Sequence, residues 1–130
     1  MKKRIKLSLF LITLVATILA CGYKTFGAIH VYSATSGYVS QFYNSTTDTI
    51  LADNVWVFYP DGKYKALVLV DGKQTNLSGK YGAEDAGDEF TISIDTDGDS
   101  KFDDDLYPDD NLSYFEWHHN SNILKYYLAQ

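Results

Sequence analysis

Cysteine, basic residues and long apolar runs are all scarce in this chain of 130 residues. Cys21 is the only cysteine, so an exported form can make no internal disulfide and must be held together by its core or by a bound ion. Four of the 11 basic residues lie within the first six positions and no acidic residue precedes Asp48, which leaves 7 basic against 17 acidic residues from residue 21 onward, a balance of −10. Such an acidic domain is repelled by polyphosphate, so nucleic acid is not expected as a partner.

Catalytic signatures are missing as well. Serine, histidine and aspartate all occur, but not as a nucleophile elbow or a spaced triad. The acidic pairs Glu84-Asp85 and Asp88-Glu89 lie in a stretch too polar to make general acids of them. The sequence therefore predicts a protein that is not an enzyme.

The beginning of the chain is typical of a signal peptide. Lys2–Lys6 form a positively charged region, and Leu7–Leu19 form an apolar run of 13 residues, shorter than the ~20 that a membrane-spanning helix needs. We expect residues 1–20 to be a helical signal peptide, residues 21–27 a tether, and residues 28–130 a single domain.

The apolar run ends at Ile18-Leu19-Ala20-Cys21, which resembles the lipobox of bacterial lipoproteins. The resemblance implies that Cys21 is acylated and becomes the mature N-terminus, so that a lipid anchors the exported protein in a membrane of the bacterial cell envelope. The alternative is an ordinary secretory signal, whose cleavage either removes Cys21 or leaves it as a free thiol in a secreted protein.

Residues 54–82 show the alternation typical of three consecutive antiparallel strands. In the first of them the aliphatic Val55 and Val57 alternate with the aromatic Trp56 and Phe58. The turn signals between the strands are Pro60-Asp61-Gly62 and Asp71-Gly72. Because 15% of the residues are aromatic and the mature chain contains no candidate for a long helix, the sequence predicts an all-β fold: a small barrel built as an up-and-down antiparallel meander.

Further strands are expected on both sides of this stretch, for a total of seven or eight. They cover residues 28–33, 89–94, 112–118 and 123–128, with loops at 83–87 and 95–110. Tyr38–Tyr43 fits either a strand or a short helix with Val39, Phe42 and Tyr43 on one face. We expect a strand there, because serine and tyrosine are poor residues for a helix interior.

A family resemblance supports the barrel. Residues Phe58–Tyr64, with the sequence FYPDGKY, and residues Ser78–Tyr81, with the sequence SGKY, resemble the turn and strand-opening elements of the lipocalin-like small barrels found in many bacterial lipoproteins. The resemblance implies the fold more than an activity, since such barrels serve as carriers, inhibitors and structural modules.

The clearest site chemistry lies in the aspartate-rich stretch after residue 94. Asp95, Asp97, Asp99 and Asp103 occupy positions 1, 3, 5 and 9 of a loop, a spacing that can bring carboxylates around one calcium ion. The pattern departs from an EF-hand, because its glycine is at position 4, Leu106 replaces the bidentate glutamate and no flanking helices are expected. The alternative is a solvated acidic turn without a metal.

The histidines do not predict a transition-metal site. On an extended strand Glu116 and His118 share one face and His119 lies on the other, so the two imidazoles cannot converge. Only His30 remains as a further imidazole, whereas such metals need three or four convergent ligands. We interpret the two histidines as residues at a hairpin end.

Two functions are compatible with these observations. The first is a non-enzymatic binding module that holds a small apolar ligand or an envelope partner at its mouth or on an aromatic face, with Trp56, Phe58, Tyr64 and Trp117 as candidate ligand-binding residues. Against it, a barrel of ~100 residues usually fills its interior with its own side chains. The alternative is a structural or inhibitor-type surface lipoprotein that contacts a basic protein through acidic loops ordered by calcium.

Overall fold

A computed structural model describes residues 24–85 and 90–130; the predicted signal peptide and Cys21 lie outside the described residues. The described chain is almost entirely β-structure, with one short helix. The elements are β1 (His30–Ser33), α1 (Val39–Phe42), β2 (Tyr43–Asn44), β3 (Thr49–Ile50), β4 (Val55–Phe58), β5 (Lys63–Val70), β6 (Lys73–Asp85), β7 (Phe90–Ile94), β8 (Asp104–Pro108), β9 (Tyr114–His119) and β10 (Asn122–Leu128).

Eight of the strands close into an antiparallel barrel in the order β1-β10-β9-β8-β7-β6-β5-β4. From β4 to β10 each strand neighbours the next along the chain, and β1 closes the circle by pairing with both β4 and β10. β2 and β3 form a separate hairpin. The prediction of a small all-β meander barrel is confirmed. In the described ranges, no helix is apolar and long enough to span a bilayer.

The interior of the barrel is packed with aromatic rings. Trp56 lies at its centre, with ring centroids 5.3 Å from Phe115, 5.4 Å from Trp117 and 5.6 Å from Tyr126 in edge-to-face contacts. Such geometry is favourable for aromatic pairs beyond the area they bury. The high aromatic content of the sequence is therefore explained by the core.

The opposite face of β1 and β4 is buried as well. Val31, Val55 and Val57 point outward from the barrel wall, and Phe42 and Tyr43 cover them. This explains why β4 alternates between aliphatic and aromatic residues, and why all four of its residues are buried.

The expectation of a strand over residues 38–43 is wrong, because Val39–Phe42 form one helical turn and a strand begins only at Tyr43. The Gln41 side chain accepts a hydrogen bond of 2.7 Å from the Tyr38 N–H at the start of the turn. The turn allows Phe42 and Tyr43 to pack side by side on the valine cluster of the wall. Tertiary packing therefore outweighs the low helix propensity of this segment.

Two predicted loops contain strand. β6 continues to Asp85 through the start of the predicted loop 83–87, because Ala83 pairs with Ile92 on one side and forms a bridge with Lys24 on the other. β8 lies within the predicted loop 95–110, where the buried Leu106 is flanked by aspartates that conceal the strand pattern.

The predicted tether packs against the barrel at residues 24–26. The Lys24 N–H donates to the Ala83 carbonyl at 2.8 Å, and Phe26 is fully buried. The Phe26 N–H donates to the hydroxyl of Tyr81 at 2.9 Å. Lys24 and Phe26, which the sequence predicts to be part of a tether, are therefore held by contacts with the barrel.

Candidate functional site

The four aromatic residues proposed to bind a ligand form part of the core. Trp56, Phe58, Tyr64 and Trp117 are 0%, 0%, 2% and 3% exposed. Their rings contact one another and the other interior rings, so they occupy the space that a ligand would need. The sequence pattern showed that large rings alternate with aliphatic residues, but it did not show that the closed barrel is filled by them.

Two of these residues connect the core to the two ends of the acidic loop, Asp95 just after β7 and Asp104 at the start of β8. The Tyr64 hydroxyl donates to the Asp95 carbonyl at 2.8 Å, and the Trp117 indole N–H donates to the Asp104 carboxylate at 2.9 Å. The loop is therefore held by hydroxyl and indole donors that extend from the interior.

The acidic loop brings three of the four predicted metal ligands together. Carboxylate oxygens of Asp95, Asp97 and Asp99 lie within 4.8 Å of one another. Asp95 is buried, whereas Asp97 and Asp99 are exposed. We refer to these three residues as the aspartate cluster.

The alternation of aspartates in this loop has a local structural cause. The Asp97 carboxylate accepts from the Asp99 N–H at 3.2 Å, and the Asp99 carboxylate accepts from the Lys101 N–H at 2.8 Å. The Asp95 carboxylate accepts from the Asp97 N–H at 3.1 Å and also from the N–H groups of Gly98 and Ser100, both at 2.9 Å. Short side chains that bond to the backbone two residues ahead are typical of tight turns.

Backbone contacts fix the loop against β6. The Asp95 N–H donates to the Lys80 carbonyl at 3.0 Å. A Cβ atom at Gly79 would lie only 2.5 Å from the Asp95 carbonyl oxygen, so this position must be glycine if the loop is to lie so close to the strand. Gly79 therefore shapes the site as well as the strand.

The pKa values within the cluster shift in opposite directions. Desolvation raises the pKa of Asp95, but hydrogen bonds from the backbone N–H groups of Ser100 and Gly98 outweigh it and lower that pKa overall. The Asp99 N–H lowers the pKa of Asp97, but desolvation and the neighbouring carboxylates of Asp99 and Asp95 outweigh it, so the pKa of Asp97 is raised. Removing the proton from Asp97 is costly because negative charge is already concentrated there.

Asp103 does not join the cluster. Its carboxylate accepts hydrogen bonds from the backbone N–H of Thr96 at 3.0 Å and from the Thr96 hydroxyl at 2.9 Å. The predicted ligand at position 9 therefore closes the base of the loop, a role that spacing alone does not reveal.

Three carboxylates suit a hard cation. Calcium takes six to eight oxygen ligands, so the cluster could supply part of a shell that water and loop carbonyls would complete. The histidines lie elsewhere: His118 contacts Glu116 at 3.2 Å on the outer wall, while His119 packs on Trp117 and His30 on Phe26. Over the described ranges, no group of three metal-ligating side chains includes a histidine.

A second polar cluster was not foreseen from the sequence. Asp48, in the β2–β3 turn, accepts hydrogen bonds of 2.5 Å from the hydroxyls of both Tyr43 and Tyr59, and its carboxylate lies 3.3 Å from the Lys65 ammonium. The hydrogen bonds from Tyr43 and Tyr59 lower the pKa of Asp48. No sequence motif joins these residues, because three separate elements contribute them.

Comparison of the chain with family models, with curated proteins and with solved structures finds no match. The interpretation of the site therefore depends on its own geometry.

Proposed function

We propose that this protein is a non-enzymatic, exported surface protein that contacts a basic protein partner through its acidic loop, with calcium bound at the aspartate cluster. The observation that carries the proposal is the approach of three carboxylates, from Asp95, Asp97 and Asp99, to within 4.8 Å on a loop fixed to the barrel. Three negative charges so close together are unfavourable without a counter-ion, and a divalent cation relieves that repulsion.

The filled interior argues against a carrier of apolar molecules. The depression with the least polar lining, bounded by Ala34, Asn54, Leu69, Leu124, Lys125 and Tyr126, has a volume of about 160 Å³. The depressions of about 390, 370 and 280 Å³ are each lined by both aspartate and lysine, which does not suit an apolar molecule. Sites for small molecules usually enclose ~300–1,000 Å³. A contact surface fits the described molecule better than an internal ligand site.

The lipid anchor at Cys21 is part of the proposal. Cys21 lies three positions before the packed Lys24, so their Cα atoms are at most ~11 Å apart in an extended chain. An acylated Cys21 would therefore hold the barrel next to the membrane surface, with the exposed acidic loop available to a neighbouring protein of the envelope.

Native mass spectrometry of the full chain in a mild detergent, with calcium or with a chelator, tests the metal. We expect a calcium adduct that disappears in the Asp97→Asn, Asp99→Asn double variant. The Asp53→Asn, Asp71→Asn variant removes the same two charges outside the loop and should keep the adduct. Equal adducts in both variants, or none in the parent protein, would contradict calcium binding.

The partner is tested by crosslinking on intact producing cells. We expect the parent protein to form a crosslink to a basic envelope protein. The crosslink should be lost in the Asp97→Asn, Asp99→Asn variant and retained in the Asp53→Asn, Asp71→Asn variant. An equal yield of this crosslink with both variants would refute contact through the acidic loop.

A further inference from the structure

The wall of the barrel opens at one end, because two of its strands are short. β1 and β4 have four residues each, whereas β10 has seven and β5 has eight. β1 pairs with β10 only as far as Ser33, which lies opposite Tyr127, so residues 122–126 of β10 extend beyond it. On the other side of the opening, β4 pairs with β5 only as far as Leu67. We refer to the opening between residues 122–126 and residues 68–70 as the wall gap.

β10 turns a row of backbone hydrogen-bonding groups toward this gap. The Leu128 N–H donates to a carbonyl beside β9, and the Ala129 N–H donates to a carbonyl of β1, each at 2.8 Å. Because successive backbone groups of a strand point to opposite sides, the N–H and C=O groups of Ile123 and Lys125 point to the same side as those of Ala129. β1 has already ended at that level, so in the described ranges no strand pairs with these two residues on that side.

The opposite edge of the gap is capped by a side chain. The Leu69 N–H donates to the Asn54 side-chain oxygen at 3.1 Å, where a further residue of β4 would have paired. Unpaired strand edges favour association with other chains, and proteins usually cover or block them. β5 is blocked in this way, whereas the described part of the chain supplies no equivalent cap to Ile123 and Lys125.

An apolar depression lies at the same place. The Leu69 side chain, on the β5 side, is 39% exposed, and Ile123, on the β10 side, is 63% exposed. A cavity of ~150 Å³ accommodates a benzene-sized group, so a depression of about 160 Å³ can take one apolar side chain. Its lining consists of Ala34, Asn54, Leu69, Leu124, Lys125 and Tyr126.

The surroundings of the gap favour one extended segment over a second copy of the domain. In a second copy β9 lies directly beside β10, so pairing of two β10 strands would bring that β9 against the side of the gap formed by Asn54 and Leu69. A single segment has no such neighbour. From residue 21 onward the chain has 7 basic and 17 acidic residues, so an acidic segment is repelled and a basic one is attracted.

We propose that the wall gap binds an extended, basic segment of another protein, which adds as a strand along β10. The segment exchanges backbone hydrogen bonds with Ile123 and Lys125, and one of its apolar side chains enters the depression between Leu69 and Leu124. Strand addition of this kind obtains affinity from main-chain hydrogen bonds and specificity from a side-chain pocket. This contact shares no residue with the aspartate cluster and is independent of calcium and of the function proposed above.

The test is a titration of the full chain, in mild detergent with a chelator present, followed by the amide resonances in NMR spectra. The probe is a nine-residue synthetic peptide with a lysine at each end, threonine alternating with valine between them, and leucine in place of the central valine. We expect saturable shifts of the amides of residues 123 and 125, and slower hydrogen exchange at both.

Two altered peptides test how the segment is recognised. The same peptide with N-methyl groups on its three central residues cannot donate those backbone hydrogen bonds and should bind at least about tenfold more weakly. A peptide with glutamate at both ends should also bind more weakly than the lysine peptide. That second difference should decrease at high salt, because screening weakens the repulsion.

Two variants of the protein test the depression. Leu69→Trp fills it and should weaken binding of the lysine peptide at least about tenfold. Leu51→Trp makes the same substitution at a side chain that is 52% exposed and outside the lining, and it should bind like the parent protein.

The absence of a saturable shift, undiminished binding of the N-methylated peptide, or equal affinities in the two tryptophan variants would overturn the proposal. Tighter binding of the glutamate peptide would overturn the assignment to a basic segment. Protection of residues 123 and 125 that appears without peptide as the protein concentration is raised would show that a second copy is the occupant instead.

Discussion

Asp95 and Asp97 are two residues apart and chemically alike, yet the fold places them in opposite electrostatic situations. Asp95 is surrounded by backbone N–H donors, and its pKa is lowered; Asp97 faces other carboxylates, and its pKa is raised. A group with a lowered pKa stabilises the fold above its unfolded pKa and loses that contribution as the pH falls. A group with a raised pKa stabilises the fold at low pH and loses that contribution as the pH rises through its folded pKa.

We therefore expect Asp97→Asn to be more stable than the parent protein at neutral pH in a chelator, because the substitution removes the repulsion and keeps an oxygen for the Asp99 N–H. This difference in the free energy of unfolding should vanish at acidic pH, where Asp97 of the parent protein is protonated and uncharged. Denaturant unfolding at a series of pH values measures this, with Asp71→Asn as the control. A loss of stability at neutral pH would contradict the electrostatic interpretation.

The β2–β3 hairpin is joined to the barrel by polar contacts as well as by apolar packing. Its register pairs are only two, Tyr43 with Ile50 and Asn44 with Thr49. The Asp48 carboxylate joins this hairpin to the barrel by accepting from Tyr59, next to β4, as well as from Tyr43. Hydrogen bonds to an ionised group contribute more than neutral ones.

Removing only the two hydroxyls, by Tyr43→Phe and Tyr59→Phe together, should loosen the hairpin and raise the pKa of Asp48 toward its ordinary value. Amide hydrogen exchange should become faster at residues 49–51 while β5 and β6 keep their protection. The control is Tyr107→Phe with Tyr127→Phe, which removes two hydroxyls from the outer wall. Unchanged exchange at residues 49–51 would show that packing alone holds the hairpin.

The closed barrel is the unit of stability of the whole molecule. Its circle of eight strands encloses one core cluster, and a second cluster lies under α1 and the β2–β3 hairpin. Much of the ring packing depends on one residue, since Trp56 alone contacts five other rings. The loss of this ring should therefore affect every strand.

Trp56→Ala should reduce the free energy of unfolding by about 3–5 kcal/mol, the usual effect of truncating a buried large aromatic residue. Because small domains have a total stability of only ~5–15 kcal/mol, the variant should be close to unfolding at 37 °C. Urea denaturation measures the change, and Ile123→Ala, at a side chain that is 63% exposed, serves as the control with a change within about 0.5 kcal/mol. Similar changes in both variants would refute a single ring-packed core.

Part of the fold and of the site was predictable because it depends on local sequence. The turns at Gly62 and Asp71-Gly72 adopt the positive φ angles that their residue types favour, and Phe90, Ile92 and Ile94 face the interior as their alternation indicates. The grouping of Asp95, Asp97 and Asp99 also follows from spacing within one loop. The helical turn at residues 39–42 and the strand β8 were missed, because partners distant in sequence stabilise them.

The sequence by itself determined the class of the fold, since alternation and turn chemistry are properties of neighbouring residues. It also determined which residues could form a carboxylate cluster. Only the tertiary structure decided that the predicted ligand-binding rings fill the barrel, that Asp103 bonds to Thr96 instead of facing the cluster, and that Lys63 lies opposite Lys80. The physical reason is the same in each case: strand pairing and core packing join residues that are far apart in the chain, and the register between strands sets which charges and rings meet.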